Sequence, residues 1–243
     1  MRTSILKAIL KTKPGVGLEV LDIPYPQLSS DTVIIKTLAC GICGADLEVY
    51  SGRLSKFAKL PMVLGHEITG EVVELGEDVS NFTIGDNVVV QPFTGMCGHC
   101  YYCKTGQPWS CSSRHMIGGM AEYVAVPSQN LYLIPDTITP LDAALCEPLA
   151  VALHAIHISN FKNAYTAAVL GPGPIGFLTA LLLKHAGATQ IIVTGTQADV
   201  SPRLETASEI ADIAINIDVC HPIPRVQKVP IHGSVDIVFD TSC

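Results

Sequence analysis

The sequence predicts a mixed fold, in which an all-β first half is followed by an α/β second half. Short β-branched runs separated by turns fill the first half, apolar residues at helical spacing begin near Leu141, and strands alternate with helices from Ala167 onward. With 243 residues, of which 48% are hydrophobic and 15% charged, the chain can form two modest domains with buried cores. We expect residues 1–155 to form the first domain and residues 156–243 the second.

The first domain is expected to be a small β-barrel or sandwich. Its apolar, β-branched runs are short and evenly spaced, which is typical of these architectures. The runs cover residues 33–36, 68–75, 87–91 and 121–126.

The second domain is expected to contain a parallel sheet built from βαβ units. Strands are predicted at residues 167–170, 190–194, 213–217 and 235–239, with helices ending near residue 185 and at residues 203–209. A dinucleotide-binding fold of this type needs further strands, so we expect an incomplete α/β domain. Prolines between the last two strands argue against a crossover helix there; they are Pro222, Pro224 and Pro230.

Composition and charge exclude several classes of protein. The 15 Lys and Arg residues against 22 Asp and Glu give a net charge of −7, which argues against a nucleic-acid partner. The longest apolar tract, residues 167–183, is interrupted by Gly and Pro and predicts a strand, a turn and a helix rather than a membrane span. We identify no signal peptide. Nine cysteines, an odd and clustered set, favour metal binding in a reducing compartment, so we expect a cytoplasmic protein.

Four of the cysteines predict a structural zinc site. Cys97, Cys100, Cys103 and Cys111 place four soft ligands within fifteen residues. Four thiolates form a closed tetrahedral site, which leaves no position for a water or a substrate. Unrelated thiols or disulfides are the alternative interpretation. A zinc ribbon that binds nucleic acid is disfavoured by the charge and by the absence of a basic helix.

A second group of residues predicts a catalytic zinc site. The candidate ligands are Cys43, His66, Glu67 and Glu147. A catalytic zinc needs three protein ligands and one exchangeable position. Each residue alone is a weak signal, because a lone histidine beside a glycine turn is usually structural. The combination of these residues with a structural zinc motif strengthens the hypothesis.

Two neighbours of this group also bear on the site. Asp46 is a candidate acceptor for the second N–H of a metal-bound imidazole, with an ordinary turn aspartate as the alternative. Glu147 precedes Pro148, which predicts an extended conformation for Glu147 just before a helix. Cys146 is a rival ligand.

A glycine-rich turn predicts a dinucleotide site. It follows a predicted strand and precedes an apolar helix, the context that this motif requires. Such glycines allow a tight turn and close backbone approach, and the helix N-terminus offers free N–H groups to a pyrophosphate. The candidate residues are Gly171, Gly173, Pro174, Ile175 and Gly176.

The end of the next strand bears on the choice of dinucleotide. The acidic residue that binds the ribose of NAD is absent there, and Gly195 and Thr196 occupy the position. Asp199 comes later than expected, and Arg203 is placed to meet a 2′-phosphate. The sequence therefore slightly favours NADP over NAD, with a solvated Arg203 as the alternative.

Together these stretches resemble the zinc-dependent medium-chain alcohol dehydrogenase family over nearly the whole chain. The matching segments are residues 40–46, 65–67, 97–111, 119–124, 147–149 and 171–176. Glu147 in place of a cysteine is similar to the polyol branch, which includes sorbitol (L-iditol) and threonine dehydrogenases.

The resemblance implies a GroES-like catalytic domain and a Rossmann domain. It further implies a structural zinc, and a catalytic zinc bound by Cys43, His66 and either Glu67 or Glu147. The implied reaction is hydride transfer between a secondary alcohol or polyol and NAD or NADP. A homodimer or homotetramer is implied for a full-length parent.

Three departures from the family pattern affect the activity that we expect. Ala45 stands where relatives carry a hydroxyl that relays the substrate proton, so Glu48 or a water would substitute. The stretch between Cys111 and Gly119 is short, and the later strands are missing after Cys243, so we expect a C-terminally truncated chain. The alternative function is therefore a truncated, catalytically silent family member that acts as an interaction protein.

Overall fold

The computed structural model describes residues 5–54, 59–222 and 234–242. The chain divides into two compact units, Met1–Glu147 and Pro148–Cys243. The division falls earlier than the boundary near residue 155 that the sequence predicts. The reason is that Ala155 and Ile156 pack against the hydrophobic core of the second unit, so the helix that carries them belongs mostly to that unit.

The described part of the first unit is built mainly from antiparallel sheets. A five-stranded sheet has the order β10-β6-β5-β3-β9, and smaller sheets have the orders β2-β1-β4 and β7-β8. The strands are β1 (Ile5–Lys11), β2 (Glu19–Pro24), β3 (Thr32–Gly41), β4 (Met62–Val63), β5 (Glu67–Leu75), β6 (Asn87–Val90), β7 (Phe93–Thr94), β8 (His115–Met116), β9 (Tyr123–Pro127) and β10 (Leu131–Leu133).

The five-stranded sheet encloses the main core of this unit. β-Branched residues on its central strands are fully buried, including Val33, Ile35 and Val72. Strands β3 and β5 pair along most of their length, with two irregularities in register, and the last pair joins Gly41 to Glu67. This pairing brings the end of β3 to the beginning of β5.

Helices connect and flank the sheets. They are α1 (Gly44–Ser51), α2 (Tyr101–Lys104), α3 (Pro140–Ala143), α4 (Cys146–Ile158), α5 (Pro174–His185) and α6 (Glu205–Ala207). The prediction that Glu147 is extended is wrong, because α4 already begins at Cys146. Helical turns run almost without a break from α3 into α4, and Pro148 lies in the first turn, where the N–H that proline lacks has no intrahelical partner.

The second unit contains the predicted parallel sheet. Its strands are β11 (Thr166–Leu170), β12 (Gln190–Gly195), β13 (Ile213–Asn216) and β14 (Ile237–Asp240), in the order β13-β12-β11-β14. All neighbouring pairs are parallel. Every residue of β12 is buried, as expected for a strand covered on both faces.

The strand order reverses between β11 and β14, which is the point where open α/β sheets bind ligands. Of the three prolines expected to prevent a crossover helix before β14, Pro224 and Pro230 lie outside the described residues. In the part of the chain that the structure covers, no helix has the length and apolar character needed to cross a membrane.

Candidate active site

Cys43 lies two residues after the end of β3 and immediately before α1. It is the N-cap residue of the helix, and its backbone N–H donates to Oδ2 of Asp46 at 3.0 Å. The other carboxylate oxygen of Asp46 accepts the backbone N–H of Gly65 at 3.2 Å. Asp46 is buried, so a single carboxylate joins the helix that begins after Cys43 to the residue just before His66.

The pairing of β3 with β5 brings three candidate ligands together. His66 and Glu67 are buried at the start of β5, and Glu67 pairs with Gly41, two residues before Cys43. One potential ligand atom each from Cys43, His66 and Glu67 lies within 4.8 Å of the others. We call these three residues the Cys43 cluster. A Cβ at Gly41 would collide with the carboxylate of Glu67, so the glycine leaves room for that side chain.

The Cys43 cluster favours positive charge. A hydrogen bond with Cys43 raises the pKa of His66 to about 9, the charges of Cys43, Asp46 and Glu147 act in the same direction, and burial opposes them. Burial raises the pKa of Glu67 and that of Glu147, while His66 lowers both. The groups that raise the pKa of His66 would also stabilise a bound metal cation.

These residues fit a zinc ion. A thiolate, an imidazole and a carboxylate are all ligands that zinc takes in catalytic sites. Nδ1 of His66 is buried without a hydrogen-bond partner in the described structure, and Oδ1 of Asp46 lies 3.9 Å from it. Metal-bound histidines commonly direct their second ring N–H to such a carboxylate, so Asp46 has the position expected of that acceptor.

Other residues considered from sequence lie outside the Cys43 cluster. Glu147 is half-buried in the first turn of α4 and interacts electrostatically with His66 and Glu67, but it is not one of the three clustered residues. Cys146 is exposed and also not part of it. Glu48, on α1, forms an ion pair with Arg53.

The four cysteines between residues 97 and 111 form a second cluster, here called the cysteine lobe. Their Sγ atoms all lie within 4.8 Å of one another. The Sγ of Cys97 is 3.6 Å from that of Cys111 and 4.0 Å from that of Cys103. A tetrahedral site with Zn–S bonds of about 2.3 Å has sulfur–sulfur edges of about 3.8 Å. The lobe therefore has the dimensions of a four-thiolate zinc site, and these cysteines are not in disulfides.

Backbone N–H groups donate to sulfur atoms of the lobe, which stabilises the thiolate form of these cysteines. Cys97 donates its N–H to the Sγ of Cys111, and Cys100 donates to the Sγ of Cys97, each at 3.4 Å. Backbone N–H donors lower the pKa of Cys111 to about 6, whereas burial raises that of Cys103 to about 12. Without a metal the cluster thus retains protons, which a bound cation would displace.

The glycine turn lies between β11 and α5, where the sequence predicts it. Gly173 is the N-cap of α5 and Pro174 occupies its first turn. A Cβ on Gly173 would meet nothing within 4 Å, whereas a Cβ on Gly176 would collide with the carbonyl of Gly171. Open space at the helix N-terminus and close packing behind it suit a bound pyrophosphate.

Thr241 was not recognised from sequence. Its Oγ1 lies 2.8 Å from the carbonyl oxygen of Leu170 and 2.9 Å from that of Gly171, so its single O–H can donate to either carbonyl and holds the glycine turn from the end of β14. No motif surrounds this threonine, so only its position after the last predicted strand could have indicated the role.

The segment after β12 brings Asp199 back towards the strand end. The N–H and Oγ1 of Thr196 donate to Oδ2 of Asp199, at 3.0 and 2.8 Å, and lower the pKa of that carboxyl. A Cβ on Gly195 would lie 3.2 Å from the Cβ of Asp199. Arg203 donates to the other oxygen of Asp199 at 3.3 Å and remains largely exposed. A carboxylate and a guanidinium therefore lie together beyond the strand end.

Comparison with known proteins agrees with these features. Residues 29–136 match the model of the alcohol dehydrogenase GroES-like domain. The chain is 36% identical to a sorbitol dehydrogenase of Halalkalibacterium halodurans over 98% of its own length and 70% of the relative's. It is 35% identical to an L-threonine 3-dehydrogenase of Pyrococcus horikoshii, over 97% of the chain and 68% of that relative.

Solved structures show the same similarity. A protein from Sinorhizobium meliloti described as a zinc-binding dehydrogenase, bound to NADP, superposes with a TM-score of 0.88 at 33% identity, covering 98% of this chain and 70% of that one. An alcohol dehydrogenase from Escherichia coli complexed with NADH gives a TM-score of 0.88 at 31% identity, with coverage of 99% and 70%.

Proposed function

The chain belongs to the zinc-dependent alcohol dehydrogenase family, and we propose that it transfers hydride between a secondary alcohol or polyol and NAD(P). The observation that carries the proposal is the Cys43 cluster, in which a thiol, an imidazole and a carboxylate converge within 4.8 Å. The relatives are dehydrogenases and give no support to the alternative of a catalytically silent interaction protein.

We assign the zinc ligands of the active site to Cys43, His66 and Glu67, with Glu147 as a further carboxylate close to them. When bound, zinc would lower the pKa of an alcohol hydroxyl, and the nicotinamide ring would accept a hydride. Asp46 orients the site by accepting the N–H of Cys43 and lying beside Nδ1 of His66. The four thiols of the cysteine lobe would hold a second, structural zinc.

The proton released from the alcohol needs an acceptor, because oxidation yields a carbonyl, a hydride and a proton. Ala45 has no hydroxyl that could relay this proton. We propose that Glu48 or a water takes the role. The carboxylate of Glu48 is paired with Arg53 and partly exposed, so a proton that it accepts can pass to solvent.

The dinucleotide is proposed to bind at the glycine turn, with its pyrophosphate at the N-terminus of α5 and the open space beside Gly173. Thr241 keeps this turn in place. Arg203 is proposed to meet a 2′-phosphate, which favours NADP. Solved relatives are bound to NADP in one case and NADH in another, so both cofactors belong in the assay.

The substrate is proposed to be a polyol or an amino alcohol with a secondary hydroxyl. A secondary hydroxyl is the feature common to sorbitol and threonine, the substrates named for the two relatives above. A homodimer or homotetramer stays a prediction.

Turnover of the metal-loaded chain tests the proposal. We expect reduction of NADP or NAD in the presence of sorbitol, other polyols or L-threonine, followed by nicotinamide absorbance. Cys43→Ser should abolish nearly all turnover, because it removes one of three zinc ligands. Cys220→Ser is the matched control, since Cys220 lies in neither metal cluster. Full activity of zinc-depleted Cys43→Ser protein would contradict the mechanism.

A further inference from the structure

A lysine with no role in the proposed chemistry is completely buried. Lys11 ends β1 and is 1% exposed. Its Nζ donates to three backbone carbonyls, those of Gly15, Gly17 at 3.0 Å and Tyr50 at 3.2 Å. Three acceptors require three N–H donors, which only the charged ammonium provides. A buried charge is costly unless it is fully hydrogen-bonded, so this arrangement needs a reason.

One of the three carbonyls belongs to the last turn of α1. Carbonyls at a helix C-terminus lack intrahelical partners and carry the negative end of the helix dipole. The last turn of α1 has no basic residue of its own. Lys11 supplies that cation from another element, and the N–H of Gly17 donates to the same Tyr50 oxygen at 2.9 Å.

The loop that follows Lys11 also packs tightly on the end of α1. Gly52, the C-cap residue, has a φ of 86°. A Cβ on Gly52 would lie 2.8 Å from the backbone of Gly15, so these two segments of the chain are in direct contact. Lys11 therefore fastens this loop and the end of α1 to the same strand.

The other end of α1 carries the candidate active site. Cys43 is its N-cap residue, and Asp46, in the first turn, joins Cys43 to Gly65. A helix of eight residues is about 12 Å long, so its C-terminus cannot move without moving its N-terminus. We infer that Lys11 is a positioning residue, which holds Cys43 and Asp46 in place by fixing the far end of α1. The inference rests on the proposed zinc site.

The test compares Lys11→Met with Lys13→Met. Both remove a lysine of the same chain segment, but the side chain of Lys13 is 76% exposed and pairs with Glu19 at the surface. Zinc affinity is measured by competition with a chromophoric chelator, and Cys43→Ser protein identifies the signal of the Cys43 cluster. Hydrogen exchange of the α1 amides is measured on the same proteins without zinc.

We expect Lys11→Met to weaken zinc binding at the Cys43 cluster roughly 10-fold or more, the range typical of lost positioning contacts. Zinc affinity of the cysteine lobe should not change, the α1 amides should exchange faster, and Lys13→Met should behave as wild type. Equal affinity of both variants at the Cys43 cluster, or equal weakening of both zinc sites in Lys11→Met, would overturn the inference.

A replacement variant covers a failure to fold, and hydrogen exchange covers an absence of zinc at the Cys43 cluster. If Lys11→Met does not fold, Lys11→Gln replaces it, because an amide retains two donors without the charge and should weaken the same site to a smaller degree. If wild-type protein binds no more zinc than Cys43→Ser protein, the proposed function is contradicted. The hydrogen exchange of the α1 amides then decides separately whether Lys11 fixes the helix. Equal exchange rates in wild type and Lys11→Met would contradict that role of Lys11 as well.

Discussion

Two glycines of the same turn differ in the space around them, since a Cβ has room at Gly173 and none at Gly176. This difference predicts different effects of substitution by alanine. Gly173 has a φ of −70°, which alanine also adopts, and a methyl group there would enter open space. Gly173→Ala should therefore lower the free energy of unfolding by less than about 1 kcal/mol. It should nevertheless weaken NAD(P) binding. Gly176→Ala introduces a methyl group against the carbonyl of Gly171 and should destabilise the protein by about 1–3 kcal/mol. Denaturant unfolding and cofactor fluorescence titration measure the two effects.

The two variants should differ in stability, with Gly176→Ala the less stable. Equal loss of stability in both would mean that the turn does not pack as described. Unchanged cofactor affinity in Gly173→Ala would remove the proposed pyrophosphate from the N-terminus of α5.

The two clusters of candidate metal ligands could be predicted from sequence, whereas the contacts of Lys11 and Thr241 could not. Cysteines at fixed spacing and a glycine motif between a strand and a helix are visible because side-chain type determines their use. Lys11 and Thr241 act on backbone carbonyls that the fold brings to them. Nothing in their sequence neighbourhood specifies those partners.

At the scale of elements, the segment that carries the cysteine lobe is expected to depend on a metal for its stability. It contains one four-residue helix, α2, and one short 3-10 turn, Pro108–Ser110, neither of which has a buried residue. An element without a core of its own needs another source of stability. We expect chelation or Cys100→Ser to lower the melting temperature and to open the lobe to proteolysis. Identical melting with and without chelator would argue against a structural zinc.

The start of α4 shows where local rules fail. The residue before a proline is biased away from helix, which predicted an extended Glu147. In the structure, turns continuing from α3 override this bias and place Glu147 within the helix. The helical turns that directly precede Cys146 therefore outweigh the effect of Pro148 on the backbone of this candidate site residue.

For the whole molecule, metal content is the simplest prediction. Two separate clusters should bind two zinc ions per chain, and Cys43→Ser should bind one. Elemental analysis of the purified proteins gives both values. One zinc in both proteins would mean that the Cys43 cluster takes up no metal in this chain.

The mixed fold and the parallel sheet of the second unit are confirmed. Strand–helix alternation is a local signal, and it predicts a parallel arrangement because each crossover helix returns the chain to the edge of the sheet where the previous strand began. The division of the described residues of the first unit into three sheets could not be predicted, because antiparallel partners such as β3 and β9 are far apart in sequence. The boundary between the units was displaced for a similar reason, since the core contacts of Ala155 and Ile156 are long-range.

The two metal clusters differ in when they can form during synthesis. All ligands of the cysteine lobe lie within fifteen residues, and closing so short a loop costs little entropy. The Cys43 cluster exists only after β3 has paired with β5 and α1 has been fixed at both ends. We therefore expect a nascent chain to load the lobe first. Under zinc shortage, new molecules would hold their structural metal and lack the other.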